Sequence, residues 1–454
     1  MDTVLFVIWR SQGHLNASLG LAKGLRRLGY RVIYTGPTQI RDRVQSEGFE
    51  CLGSAAFDGL PLPIGVGTRI ADLLANWRNP RTILKIVIEG RQILYSAKKT
   101  ISLRCNVFEH DLLAIMPKLV VFDPFLLYFY APVHAHKIPA VALSTKSLAS
   151  AAPDTPPYTV ATVPRNTFTS RMRIRVDWFR QHTKYAFWRA YQYALFGVTP
   201  QSFCKFSSRS WQFNSSKEWR ARPFATDLKF ACVPEWVLYP PCFDFPRDDL
   251  RNQNAHYLGA YVDLDRNEED FSIPVDFIKR PLIVCVLTSV FRELSAAQAR
   301  RNRFLAQLLN CMEGLPEYQA VIAVGPSPLF RDARLPENVT ICSAIPTLAL
   351  MKKAALLITQ GGGNTVKEGI LNSVSLLTIP DAADQPGLSA RLEYHGLSAS
   401  IAMHKVKSDR LRYLILDSIG NNERRRRIEN MRTAMIEYQK NDDPLRIALK
   451  SLFN

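Results

Sequence analysis

The stretch Leu357-Ile358-Thr359-Gln360-Gly361-Gly362-Gly363-Asn364-Thr365-Val366-Lys367-Glu368 reads as a buried strand that runs through three glycines into a helix. Asn364 or Thr365 is the expected helix cap. Glycines let backbone approach a ligand closely, and the N–H groups and dipole of a helix N-terminus suit a diphosphate without help from a metal. A plain tight turn has the same local look, because the segment is neither a Walker A loop nor a Gly-x-Gly-x-x-Gly fingerprint after a first strand.

Around this turn the chain alternates strand and helix signals. Residues 281–287 predict a strand, 304–312 a helix that Gly314 closes, 318–324 a strand and 348–355 a short helix. Downstream, Ile379-Pro380-Asp381-Ala382-Ala383-Asp384-Gln385 follows the next strand, which brings a carboxylate and an amide to the same sheet edge. Together, Asp384 and Gln385 are suited to vicinal hydroxyls.

The first half has the same rhythm. Residues 4–9 form an apolar run, Arg10 to His14 a polar loop, and Leu15, Leu19, Ala22 and Leu25 recur near helical spacing before Gly29 and a β-rich run at 30–34. Residues 119–122 and 138–143 continue a parallel doubly wound pattern. His14 stands at the carboxyl edge of the first strand, where open α/β sheets bind ligands, and Asp123 ends another strand at that edge. A histidine there either caps the following helix or acts as a base whose tautomer a nearby carboxylate fixes.

On these residues the chain resembles the family 1 nucleotide-sugar-dependent glycosyltransferases of GT-B fold. Their donor signature runs His-x-Gly-x-Asn-Ser/Thr with Glu three residues on, then a Pro-x-x-x-Asp-Gln loop, and Asn364, Thr365, Glu368, Pro380, Asp384 and Gln385 match it. Gly13-His14 resembles the family's opening Gly-His-x-x-Pro segment, with Ala17 in place of the proline. The resemblance implies that Gly361, Gly362, Gly363, Asn364 and Thr365 hold the diphosphate, Glu368 the ribose hydroxyls, and Asp384 with Gln385 the transferred sugar. It further implies His14 as general base and Asp123 as the acid that orients it. The signature histidine is replaced by Gln360, and Thr288 stands for a close-approach glycine beside Ser289, also at the diphosphate end.

The expectation is an α/β protein of two Rossmann-like domains facing each other across a cleft: an acceptor domain over 1–240, a nucleotide-sugar domain over 241–425 and helices over 426–454 that pack back across the junction. Three prolines in 240–246 read as the linker, and Pro444 as a break in the terminal helix. The implied reaction is inverting transfer of a hexose, most simply glucose, from a UDP-sugar to an apolar hydroxyl-bearing acceptor, with no cofactor. The alternatives are a dTDP-deoxysugar enzyme and a non-catalytic partner protein of the same fold.

Composition narrows the rest. With 454 residues, 47% hydrophobic and 22% charged, the chain is ordinary globular material for two or three domains. Its 58 Lys and Arg exceed its 40 Asp and Glu by 18, which points to an anionic partner. Eight scattered cysteines without a Cys-x-x-Cys pair suggest reduced thiols, and Asp2 with a short apolar run argues against a signal peptide. A cytoplasmic protein is expected. Asp263-Leu264-Asp265 and His134-Ala135-His136 are weak metal patterns, so metal independence is the expectation. Residues 165–196 hold seven bases against the single acid Asp177, interleaved with aromatics. They read as a solvated helix face over a packed aromatic core, or as a peripheral contact with the anionic inner membrane face, and the resemblance implies that they wall the acceptor cleft. No nucleic-acid motif accompanies them.

Overall fold

The computed structural model describes residues 1–58, 79–197, 199, 204–205, 211–218, 229–247, 254–266, 268, 280–287, 295–325 and 335–453. Thr288 and Ser289 lie outside the described residues.

Two wholly parallel sheets carry the fold. The first contains β1 (Thr3–Val7), β2 (Arg31–Gly36), β3 (Glu50–Gly53), β4 (Leu119–Phe122), β5 (Ala140–Ser144), β6 (Glu235–Val237) and β7 (Ala255–Tyr257), in the order β3-β2-β1-β4-β5-β6-β7. The second contains β8 (Leu282–Val286), β9 (Gln319–Ala323), β10 (Val339–Cys342), β11 (Ala354–Thr359), β12 (Ser375–Thr378) and β13 (Ser398–Ser400), in the order β10-β9-β8-β11-β12-β13. In each sheet the order reverses between two neighbouring central strands, β1 and β4 or β8 and β11. A crevice opens beyond their carboxyl ends at such a switch point.

The helices of the first half are α1 (Gln12–Arg27), α2 (Arg41–Ser46), α3 (Pro80–Ile115), α4 (Tyr130–Ala135), α5 (Phe168–Phe196) and α6 (Ser215–Glu218). Those of the second are α7 (Ser295–Glu313), α8 (Thr347–Met351), α9 (Gly363–Leu371), α10 (Gln385–Tyr394) and α11 (Ser408–Gly420), followed by α12 (Asn422–Tyr438) and α13 (Asp443–Phe453). Strands buried on both faces explain the unbroken apolar runs such as Leu119-Val120-Val121-Phe122.

Several expectations need correction. Strand β7 pairs with β6 in the first sheet, so that sheet extends past the proline stretch at 240–246. Those prolines shape a turn, with Pro241 opening a short 3-10 segment. The helix expected at 348–355 is only α8, because Ala354 already enters β11. Pro444 does not break the terminal helix. Gln439 to Asp442 make the corner, with Asn441 at φ 57°, and Pro444 sits in the first turn of α13, where its missing N–H costs nothing. The basic aromatic stretch 165–196 contains the 29-residue α5, capped by the Thr167 side chain and closed by Gly197 at φ 68°.

The terminal helices return to the first half. Leu445, Ala448 and Leu449 of α13 are buried in one cluster with Val4, Phe6 and Leu25. Asp442 anchors the corner: its carboxylate takes two hydrogen bonds from Arg27 and one from the Tyr261 hydroxyl. A second cluster joins Val237, Tyr239 and Tyr257 with Val366, Leu388 and Met431, so apolar packing is continuous from one sheet to the other.

Candidate active site

Strands β1 and β4 end in register, Val7 opposite Phe122. The residue after β4 is Asp123, held beside β1 by its own N–H donating to the Val7 carbonyl at 2.9 Å. Its carboxylate caps the next 3-10 turn, accepting from the Phe125 N–H at 2.9 Å, and also accepts from the Trp9 N–H at 3.4 Å. Two backbone donors fix a carboxylate that is 1% exposed, and its Oδ2 lies 2.7 Å from His14 Nδ1. His14 sits in the first turn of α1, whose cap position is Ser11, and its ring stacks on Phe125 with centroids 4.8 Å apart. It does not cap the helix. With Nδ1 held by a carboxylate, the arrangement is able to accept a proton at Nε2 and to stabilise an imidazolium through Asp123. His14, Pro124, Thr145 and Lys146 line a shallow pocket at this edge.

The glycine turn faces the same place from the other half. Gly361 adopts φ 87°, a left-handed conformation that favours glycine. Neither Asn364 nor Thr365 caps α9: the cap residue is Gly362, and the helix begins at Gly363. Its first intrahelical bond runs from the Val366 N–H to the Gly362 carbonyl, so the N–H groups of Gly363, Asn364 and Thr365 precede the helix's own ladder. Asn364 spans the cleft, its Nδ2 donating to the Gly13 carbonyl at 2.6 Å. Gly363 fits because the halves approach closely here. A Cβ on it would lie 2.7 Å from the Tyr239 hydroxyl, which itself donates to the Gly363 carbonyl at 3.0 Å. Gln360 is buried just before the turn.

The other expected donor residues are arranged less simply. Glu368 is buried and paired through Oε1 with Arg266, a residue the sequence reading did not single out. Burial raises the Glu368 carboxyl above its ordinary value, and the Arg266 charge opposes that rise. Arg266 also holds Glu268, whose carboxylate accepts from the Leu348 and Ala349 N–H groups at the start of α8. Lys367 is fully buried. Its ammonium donates to the Leu238 carbonyl at 3.1 Å and the Ala260 carbonyl at 2.9 Å, and lies 4.9 Å from the centre of the Tyr239 ring.

Asp384 ends the loop before α10 and is partly exposed, whereas Gln385 is buried with its Oε1 accepting from the Asp381 and Ala382 N–H groups. Arg300 of α7 grips Asp381 with two hydrogen bonds and steadies the same loop. Gln385 therefore braces the loop that presents Asp384. The two weak metal patterns are otherwise engaged: Asp263 pairs with Lys23 and His136 with Glu109. Among the described residues no three His, Cys, Asp or Glu side chains cluster as a metal site.

No protein-family model matches the chain. It is 26% identical over 152 residues to the oleandomycin glycosyltransferase of Streptomyces antibioticus, spanning 33% of this chain and 35% of that relative's length. It is 21% identical over 433 residues to an uncharacterised UDP-glucosyltransferase of Bacillus subtilis, covering 93% of this chain and 91% of the other. The zeaxanthin glucosyltransferase of Pseudescherichia vulneris is 27% identical over 182 residues, 39% and 41% of the two chains. Among solved structures, the glycosyltransferase VinC in complex with dTDP superposes with a TM-score of 0.61 at 17% identity over 99% of this chain and all of that one. The spinosyn forosaminyltransferase SpnP gives 0.63 at 13% identity over the whole of both.

The fold is thus that of the GT-B glycosyltransferases. In sequence the chain is similar to proteins named UDP-glucosyltransferase, oleandomycin glycosyltransferase and zeaxanthin glucosyltransferase, in keeping with the motifs that carry the resemblance.

Proposed function

We propose that the protein is an inverting, metal-independent glycosyltransferase that moves a hexose, most simply glucose, from a UDP-sugar to a hydroxyl of an apolar small molecule. The observation that carries this reading is the Asn364 to Gly13 hydrogen bond, which sets the N-terminus of α9 against the residue preceding His14. A base and an anion-binding helix end then face one small volume.

His14 Nε2 removes the acceptor hydroxyl's proton as that oxygen attacks the anomeric carbon opposite the leaving diphosphate. The new C–O bond forms as the sugar–phosphate bond breaks, inverting the carbon, and Asp123 stabilises the imidazolium. General-base help of this kind is worth about 10² to 10⁴ in rate. The N–H groups of Gly363, Asn364 and Thr365 and the α9 dipole take up charge on the leaving diphosphate. Arg266 occupies Glu368 Oε1, so ribose hydroxyls meet Oε2. Asp384, on the loop braced by Gln385, meets sugar hydroxyls. The buried aromatic layer after Asp123, with Phe125 stacked on His14, favours an apolar acceptor of terpenoid, carotenoid, polyketide or lipid type.

A second reading, a dTDP-deoxysugar donor, is favoured by the engagement of the Gln385 oxygen with its own loop, which leaves Asp384 as the main hydroxyl acceptor, and by the dTDP bound in the VinC structure. Calorimetric titration with UDP, UDP-glucose, dTDP and dTDP-glucose, with chelator and no added metal, separates the readings. UDP-selective binding is the expected result, and selective dTDP binding would move the donor assignment to the second reading. Absence of any nucleotide binding would leave a non-catalytic protein of this fold.

A further inference from the structure

Helix α5 presents two apolar faces. Ile174, Trp178 and Tyr185 point inward and are buried, and the inward face is tied down by the Trp178 indole donating to the Thr155 carbonyl at 2.8 Å. Yet Phe168, Phe179, Phe187 and Tyr193 are 77, 72, 75 and 63% exposed, and Met172 and Val176 join them at 40 and 41%. At about 100° per residue these six side chains fall within an arc of roughly 120°, centred about 140° around the helix from the buried face. Scattered exposed apolar residues need no explanation, but a continuous aromatic stripe does.

The stripe is flanked by charge of one sign. Arg173, Arg180 and Lys184 run along one border and Arg171, Arg175 and Arg189 along the other. The one acid of the helix, Asp177, accepts from the Thr162 hydroxyl at 2.7 Å on the inner side, and Arg171 pairs with Asp154 at the helix's start. Helix α3 extends the surface. It packs on α5 through Ile83, Ile86 and Val87 against Trp188, Tyr191 and Leu195, and exposes Leu84, Ile88 and Tyr95.

We propose that the outer face of α5, with the adjoining part of α3, docks on an anionic lipid bilayer. Aromatic rings enter the headgroup boundary while flanking Arg and Lys side chains reach lipid phosphates. The charge chooses the occupant, since two copies of this face brought together would oppose six bases with six. Beneath α5, the segment that supplies the Thr155 and Thr162 contacts also gives its Tyr158 carbonyl to the Gly387 N–H of α10. Docking would therefore hold the cleft beside the membrane surface. The proposal does not rest on the transferase reading.

The test is co-sedimentation of the full-length protein with vesicles of phosphatidylcholine alone or with about one third phosphatidylglycerol. Binding to the anionic vesicles only, weakened by salt, is expected. Phe179→Asp with Phe187→Asp should lower partitioning about tenfold or more, as should Arg173→Glu with Arg180→Glu. All four side chains are exposed, so the thermal transition should not move. Equal binding to both vesicle types, parent-like binding by the aspartate variant, or no binding would overturn the proposal. So would a dimer, seen by light scattering, that the aspartate variant dissolves while vesicle binding is absent.

Discussion

Arg266 and Glu368 form an ion pair whose side chains are only 9 and 5% exposed, at the spot where the resemblance places a ribose-binding carboxylate. Burial holds the Glu368 carboxyl above its ordinary value, and the Arg266 guanidinium opposes that rise, so each partner depends on the other inside the protein. Arg266→Ala should cost about 3 to 5 kcal/mol because it strands a buried carboxylate. Adding Glu368→Gln should recover part of that loss in urea unfolding. A double variant no more stable than Arg266→Ala would mean that the charge pairing is unimportant.

His14→Ala should lower kcat by about 10² to 10⁴ while leaving calorimetric UDP binding nearly unchanged. Asp123→Asn should approach the same loss by favouring the wrong tautomer. Parent-like turnover in His14→Ala would remove His14 from the chemistry.

Lys367 gives a pH signature. Burial pushes its ammonium down from the ordinary 10.5 to about 7. Between those values the unfolded chain binds more protons than the folded one, so this residue's contribution to stability rises with pH. Lys367→Met loses two hydrogen bonds but gains freedom from that titration. Its stability relative to the parent should therefore fall as pH rises from about 7.5 to 9.5, measured by urea midpoints at each pH. The buried thiols are common to both proteins and cancel. A difference independent of pH would show that Lys367 keeps its proton in the fold.

Asp384→Ala should raise the KM for a UDP-hexose far more than it weakens binding of UDP alone, since only the sugar loses a contact. Equal losses would place Asp384 outside the sugar site.

Much of this was readable in the sequence because it depends on short local patterns. The runs at 119–122 and 356–359 gave central strands, and open α/β sheets bind ligands at their carboxyl ends, so His14 with Asp123 and the glycine turn each fell at the carboxyl edge of its own sheet. Three things were not readable. The cap of α9 passed to Gly362 because Asn364 turns across the cleft to Gly13, a contact between residues far apart in the chain. Arg266 carried no motif, since its role comes from meeting Glu368 in space. The length of helix α5 was not readable, although residues 165–196 read as a helix face, because apolar residues on two faces blur the single-faced period of a surface helix. Its Thr167 cap and Gly197 stop were the signals that could have revealed it.

The closing helix α13 shares a core with strand β1. During synthesis the first half therefore emerges with a bare patch over Val4, Phe6 and Leu25 that Leu445, Ala448 and Leu449 cover only after the second half has been made. A chain cut at Asp442 should keep the core of its second sheet and destabilise that of its first, although the missing residues lie hundreds of positions away. Damage at one end of the polypeptide is felt at the other.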